Sequence, residues 1–270
     1  MDESIFRVMR AISEILDGNI HGAWLYGSVV LDDFRPGWSD IDMIVLTDGR
    51  IAENQARELL MLRQDMSAGE SENPYYRCFE GIIANLDEYR ANSFRRLVCW
   101  GTTGQRITDR FEPDAFSRFE LARYGRPVWG TDDRSPFIEP SREEMVAAIQ
   151  AHCSAIRQYA VQTDERLYSC GWLLDIARCI YTLRYNDIIA KTRAGVWALN
   201  EHLFPDEAPL LKTVEIRRHP SAYREREDVK QWLRELGPVV QRYADVLERE
   251  LRSIQIGFQH TIPPTERKTP

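Results

Sequence analysis

The sequence predicts an α+β fold: a small first domain that interleaves strands and helices, then a domain of helices alone. Three observations carry this. Two apolar runs face each other across a turn in GAWLYGSVVLDDFRPGWSDIDMIVL, residues 22–46. A third apolar run, RCFEGIIANL, follows at 77–86, after a helical stretch. From 141 to 254 every apolar pattern has helical spacing, broken by Pro205, Pro220 and Gly237-Pro238. A chain of 270 residues holds one large or two small domains.

Taken in order, residues 3–16 place Ile5, Val8, Met9, Ile12, Ile15 and Leu16 on one helical face, and Asp17-Gly18-Asn19 stops that helix. Apolar Ala23, Trp24, Leu25 and Tyr26 form a strand ending at Gly27-Ser28, a turn at the start of a helix. Arg35-Pro36-Gly37 turns the chain into a second strand that runs through Met43 to Leu46. Asp48-Gly49 is a turn, 51–66 an amphipathic helix ended by Ser67-Ala68-Gly69, and 71–74 a polar loop. After the third strand, Asp87-Glu88-Tyr89 starts a short helix. Residues 95–100 and 105–107 flank Gly101-Thr102-Thr103-Gly104 as a hairpin. A helix at 114–124 and a short apolar run at 125–130 close the first domain, 1–138. Ser141 reads as the N-cap of a long helix, with Glu144 completing a capping box. Helices at 143–159, 169–185, 191–202 and 229–254 fill the second domain, 139–256, the last split or kinked at Pro238. The Pro-rich tail 257–270 is expected to be disordered.

Composition narrows the function. At 43% apolar and 29% charged the chain has an ordinary globular composition, and its net charge of −7 argues against a nucleic-acid footprint and suits a cationic partner. No segment approaches 18 uninterrupted apolar residues, so no membrane span is expected. The amino-terminal stretch lacks a signal-peptide pattern. The five cysteines (78, 99, 153, 170 and 179) form no CxxC pair and read as reduced core thiols, consistent with a cytoplasmic location.

The chemistry concentrates in the first two strands. Side chains two apart on a strand share a face, so Asp40 and Asp42 point the same way. Two neighbouring carboxylates repel unless a cation sits between them. Oxygen ligands of this kind suit Mg²⁺, which takes one or two carboxylates plus substrate phosphates. At Gly27-Ser28 a backbone with no bulky side chain can approach a phosphate, and helix-start amides face that anion.

Gly27-Ser28, eleven residues, then Asp40-Ile41-Asp42 resembles the signature of the DNA polymerase β nucleotidyltransferase superfamily. The fuller string LYGSVVLDDFRPGWSDIDMIVL is most similar to the streptomycin and spectinomycin adenylyltransferases, which implies a nucleotidyltransferase domain with a mixed sheet and flanking helices, then a helical bundle. The resemblance implies Mg²⁺ at Asp40 and Asp42, ATP as co-substrate, and phosphate contacts from Gly27, Ser28 and Ser39. Glu80, inside the third apolar run, matches the family's catalytic base at the same interval from Asp40. A strand glutamate is otherwise costly if buried without a partner. Glu80 as base, as third metal ligand, or as an outward-pointing strand residue are the readings open to it. Trp100 falls where streptomycin-type members place a tryptophan against the drug, across an alignment gap; a half-buried strand aromatic is the other reading.

In the second half, LDIARCIYTLRYNDIIAKTRAGVWAL resembles the family's carboxy-terminal domain through Arg178, Tyr181, Ile188, Lys191 and Trp197. The resemblance implies that Arg178 and Lys191 reach the triphosphate across a cleft. Where streptomycin-modifying members carry an acidic residue and a His, this chain has Tyr168 and Gly171, and the nearby acids Asp164, Glu165 and Asp175 do not align. The resemblance therefore implies transfer of AMP to a small-molecule hydroxyl, spectinomycin-like rather than streptomycin, by a monomer or dimer without nucleic-acid or membrane partners. A protein or unknown metabolite as acceptor, and a non-catalytic nucleotide-binding regulator, are the alternatives.

Overall fold

Six strands form one mixed sheet in the computed structural model, which describes residues 1–68, 73–101 and 104–260. The chain divides into two units, Met1–Ser141 and Arg142–Pro270, each taken by itself below.

In the first unit the strands are β1 (Gly22–Tyr26), β2 (Ile41–Thr47), β3 (Phe79–Asn85), β4 (Leu97–Gly101), β5 (Gly104–Thr108) and β6 (Arg126–Gly130), ordered β5-β4-β3-β2-β1-β6. β2 and β3 are parallel and every other neighbouring pair is antiparallel. A parallel pair needs a crossover, and α2 (Glu53–Ala68) supplies it. The alternation of strand side chains then sorts the core. Ile41, Met43, Val45, Phe79 and Ile83 lie in one apolar cluster with Ile5, Val8, Met9 and Ile12 of α1 (Asp2–Ile15) and Ala56 and Leu59 of α2. Ile44, Leu46, Ile82 and Ala84 lie in the other, with Trp24, Leu121 and Phe137. Each large side chain so buried contributes about 1.5–3 kcal/mol. Both faces of the central strands are covered, so β2 and β3 read as near-continuous apolar runs. Asp42 and Glu80 are the charged exceptions within them.

Local signals placed most of these elements. Asp17 and Gly18, at φ 54° and 76°, turn the chain after α1. Asn85 caps α3 (Leu86–Arg90) by accepting from the Glu88 amide, and Asp114 caps α4 (Ala115–Tyr124) by accepting from Ser117. The expected hairpin is β4–β5, in register from Leu97↔Thr108 to Gly101↔Gly104; its turn residues Thr102 and Thr103 lie outside the described residues. So do Gly69, Ser71 and tail residues 261–270. The apolar run at 126–130 is a sixth strand at the sheet edge, where Pro127 is tolerated. The helix expected to start at Gly27-Ser28 is a single 3-10 turn, Gly27–Val29.

The second unit is helical throughout its described part: α5 (Arg142–Tyr159), α6 (Tyr168–Tyr185), α7 (Lys191–Asn200), α8 (Ala208–Arg218), α9 (Pro220–Tyr223), α10 (Glu227–Arg234) and α11 (Gly237–His260). α6 is the central element, with Leu173, Leu174, Ile176, Ala177, Ile180 and Leu183 buried. The stretch at 229–254 is two helices. Pro238 opens α11, where its missing N–H costs nothing, and does not kink a longer helix. Arg157 of α5 ties to α11 through Asp245 and Glu248 at 2.6 and 2.7 Å. No described helix is long and apolar enough to cross a membrane.

Candidate active site

The two central strands begin with their acids side by side. Asp42 pairs with Glu80 in the parallel register of β2 and β3, and with Tyr26 across the antiparallel register of β1 and β2. Registered neighbours share a face, so the three side chains project together. Asp40 lies just ahead of β2, and its carboxyl group is within hydrogen-bond reach of Glu80. Asp40, Asp42 and Glu80 are all partly exposed, at the strand ends where apolar cover runs out.

Gly27 shapes this corner. It has φ 68°, and a Cβ built on it would lie 2.1 Å from Oδ2 of Asp42. The Asp42 carboxylate therefore rests on space that only glycine leaves. Gly81, beside Glu80, is equally constrained: its Cβ would lie 1.7 Å from the Met43 carbonyl oxygen, so the two acid-bearing strands approach more closely than any side chain allows. Ser28 donates to the Asp40 carbonyl at 3.3 Å, which ties the Gly-Ser turn to the start of β2. The first amides of such a turn have no acceptor within it.

Electrostatics follow from burial and charge. Burial pushes the Glu80 carboxyl up, and the Asp40 hydrogen bond and the Arg63 guanidinium pull against it without cancelling it. Burial holds the Tyr26 phenol well above its usual range, and the charges of Asp42, Asp114, Glu120 and Glu80 add to the rise. Tyr26 thus stays a neutral hydrogen-bonding group beside the acids.

Arg63 was not singled out by the sequence reading. It occupies the buried face of α2 at 1% exposure, donating to the carbonyls of Arg77 at 3.1 Å and Gly101 at 3.5 Å and to Ser67. Arg77 precedes β3 and Gly101 ends β4, so the guanidinium grips the backbone on both sides of Glu80. Burial lowers its pKa, while Cys78, Glu80 and Asp40 oppose that. The available signal was a basic residue inside the stripe Ala56, Leu59, Arg63, Met66.

The acidic corner has the donor chemistry expected for a divalent ion. The donors are carboxylate oxygens, converging and mutually repulsive, which fits Mg²⁺. Among the described residues no three His, Cys, Asp or Glu side chains form a ready metal cage. Two carboxylates completed by phosphate and water oxygens match that arrangement.

Two expected contacts are corrected. The Ser39 hydroxyl is buried and accepts from the Arg35 amide at 3.0 Å, and its own amide donates to the Arg35 carbonyl at 2.8 Å. Ser39 ties its loop together instead of facing a phosphate. Trp100 is 2% exposed and packs in the α1/α2-side core, so it offers no surface to a drug. Trp100 lies opposite Gly81 and Val98 opposite Ile83, so both share the sheet face of Met43, Val45 and Ile83, which is turned to that core.

In the helical unit Arg178 (α6) and Lys191 (first residue of α7) converge on one carboxylate, Asp175. Lys191 Nζ lies 2.8 Å and Arg178 Nη2 3.6 Å from Asp175 Oδ1. Burial raises the Asp175 pKa, but Lys191, Arg178 and His152 outweigh it and bring it down to about 2. Tyr168 opens α6 exposed and Gly171 is buried, so neither position carries a charge. Asp164 pairs with Arg166, and Glu165 with Arg234.

Comparison with known proteins covers both units. Residues 7–76 match the family model described as nucleotidyltransferase domain, and residues 137–248 match aminoglycoside adenylyltransferase, C-terminal domain. Among solved structures the chain is similar to the spectinomycin adenyltransferase AAD(9) from Enterococcus faecialis, determined with ATP and spectinomycin. The TM-score is 0.61 at 17% identity, covering 88% of this chain and 98% of that one. No curated protein matches the sequence.

Proposed function

From the premise that this chain is a nucleotidyltransferase, aminoglycoside adenylyltransferase-like in family, we propose that it moves AMP from ATP onto a hydroxyl of an aminoglycoside or aminocyclitol. The observation that carries the reading is the in-register pair of Asp42 and Glu80, with Asp40 against Glu80 and Gly27 clearing room for Asp42.

Asp40 and Asp42 hold Mg²⁺, which when bound neutralises triphosphate charge. Amides of the Gly27-Ser28 turn bind phosphate oxygens. Arg178 and Lys191 are the nucleotide-contacting cations of the helical unit, stabilising charge that develops on the leaving pyrophosphate. Glu80 accepts the proton of the acceptor hydroxyl on its carboxylate. The hydroxyl oxygen bonds to the α-phosphorus in line, and the bond from that phosphorus to the α–β bridging oxygen breaks. A raised Glu80 pKa suits this role, because a base nearer neutrality takes the proton with less penalty. The preference for adenine rests on the family alone.

Spectinomycin or a related aminocyclitol fits better than streptomycin, because Tyr168 and Gly171 bring no charge where the streptomycin-modifying pattern has an acid and a His. A protein or other metabolite as acceptor is the second reading, favoured by that same missing charge. The test is pyrophosphate release from ATP with Mg²⁺ against spectinomycin, streptomycin and other aminocyclitol drugs, with Glu80→Gln alongside. Turnover on one drug, lost in Glu80→Gln, supports the proposal. ATP binding without turnover on any drug removes the antibiotic as acceptor, and Glu80→Gln with full activity removes Glu80 as base.

A further inference from the structure

Lys191 is the first residue of α7, where the helix dipole is positive and a lysine is disfavoured. Arg178, on the same patch, adds a second cation. Between them stands one carboxylate, Asp175, whose side chain is 13% exposed against 19% for Arg178 and 31% for Lys191. One carboxylate oxygen thus meets both cations, Lys191 Nζ at 2.8 Å and Arg178 Nη2 at 3.6 Å. A carboxylate in a helix otherwise buried in apolar neighbours is costly, since Leu174 and Ile176 on either side are fully buried. The two ion pairs offset that cost and fix the carboxylate between the cations.

We propose that Asp175 is a positioning residue for the nucleotide: it holds the Lys191 ammonium and the Arg178 guanidinium side by side, so that both present donors to the β- and γ-phosphates. The inference rests on the nucleotide reading given above. Asp175 stands one turn before Arg178 on α6, so the carboxylate and guanidinium are fixed by one rigid element and Lys191 is brought to them by the next. An ammonium has three donors and a guanidinium five; a single carboxylate oxygen can orient both groups and leave donors for phosphate. Without Asp175 the two cations repel each other, and Lys191 also moves away from the positive helix end.

The experiment measures calorimetric affinities of the full chain, with Mg²⁺, for ATP, pyrophosphate and AMP, in the wild type and in Asp175→Asn. The variant keeps the side-chain volume and removes the charge. Loss of the positioning weakens ATP and pyrophosphate by about tenfold or more, as expected for a disturbed hydrogen bond to a charged group, and leaves AMP unchanged. A general folding defect would weaken all three. Unchanged ATP and pyrophosphate binding, or an equal loss on AMP, overturns the inference while leaving the nucleotide reading intact. A wild-type chain that binds neither ATP nor pyrophosphate removes both. If Asp175→Asn does not fold, Asp175→Glu, which keeps the charge but displaces it, is read by the same selective pattern: loss on ATP and pyrophosphate alone supports the role, and wild-type binding of all three overturns it.

Discussion

Gly27→Ala is the sharpest probe of the acidic corner. The new methyl would sit 2.1 Å from Oδ2 of Asp42, and ordinary contact begins at 3.4 Å. The carboxylate must therefore retreat by about 1.3 Å, several times the roughly 0.2 Å tolerance of a metal–ligand distance. Because the obstacle is the end of a side chain, the fold survives by rotating Asp42 away. The stability cost is mainly that of alanine at φ 68°, about 1–2 kcal/mol, or roughly 2–8 °C in Tm. Activity falls further, by about 10²-fold or more, as expected when a group at the reacting centre is displaced by about 1 Å. Thermal unfolding and pyrophosphate release, measured on the same preparation below its Tm, separate the two effects. Wild-type kcat/KM in a folded Gly27→Ala chain refutes the argument that Asp42 must occupy that space.

Three further outcomes follow from the same geometry. In Mg²⁺-free protein the Glu80 carboxyl titrates above the usual glutamate range, because burial outweighs Asp40 and Arg63; adding Mg²⁺ lowers it, since a cation favours the charged form, and a carbon-detected NMR titration that Mg²⁺ leaves unmoved argues against a metal at Asp40 and Asp42. Arg63→Met strands the carbonyls of Arg77 and Gly101, costing about 1–3 kcal/mol, and raises the Glu80 pKa further by removing a cation; calorimetry checks the first and the same titration the second. Asp175, folded pKa about 2, stabilises the helical unit fully above its unfolded pKa of about 3.9 and loses that contribution as pH falls through about 2; it supplies no more than about 2.6 kcal/mol. Acid unfolding of Asp175→Asn followed by circular dichroism should therefore differ from wild type near neutral pH and converge with it at the lowest pH.

Much of the site was legible because its signals are short-range. Asp40 and Asp42 announce themselves as two charges entering an apolar strand, and Glu80 as one charge inside another. Gly27-Ser28 follows a strand directly, and the β4–β5 hairpin is bounded by glycines at both ends of its turn. The helices of the second unit carry their spacing openly, although α8 went unassigned among prolines, with Pro209 in its first turn. What misled was context. Ser39 has the composition of a phosphate ligand, yet its hydroxyl is taken up by the Arg35 amide. Trp100 has the composition of a stacking platform, yet its strand parity turns it into the core.

By itself, the sequence determined which residues can do chemistry and which elements carry them, because strand alternation, helix spacing and turn residues act over a few positions. The tertiary structure alone decided who meets whom. The parallel register that sets Asp42 beside Glu80 depends on α2 crossing over and on Gly81 letting two backbones close. The grip of Arg63 on the backbone at Arg77 and Gly101 joins three separate elements. The convergence of Arg178 and Lys191 on Asp175 depends on how α7 docks against α6. Such contacts are set by packing between distant segments, and burial, which sets their energies, exists only once the chain has folded.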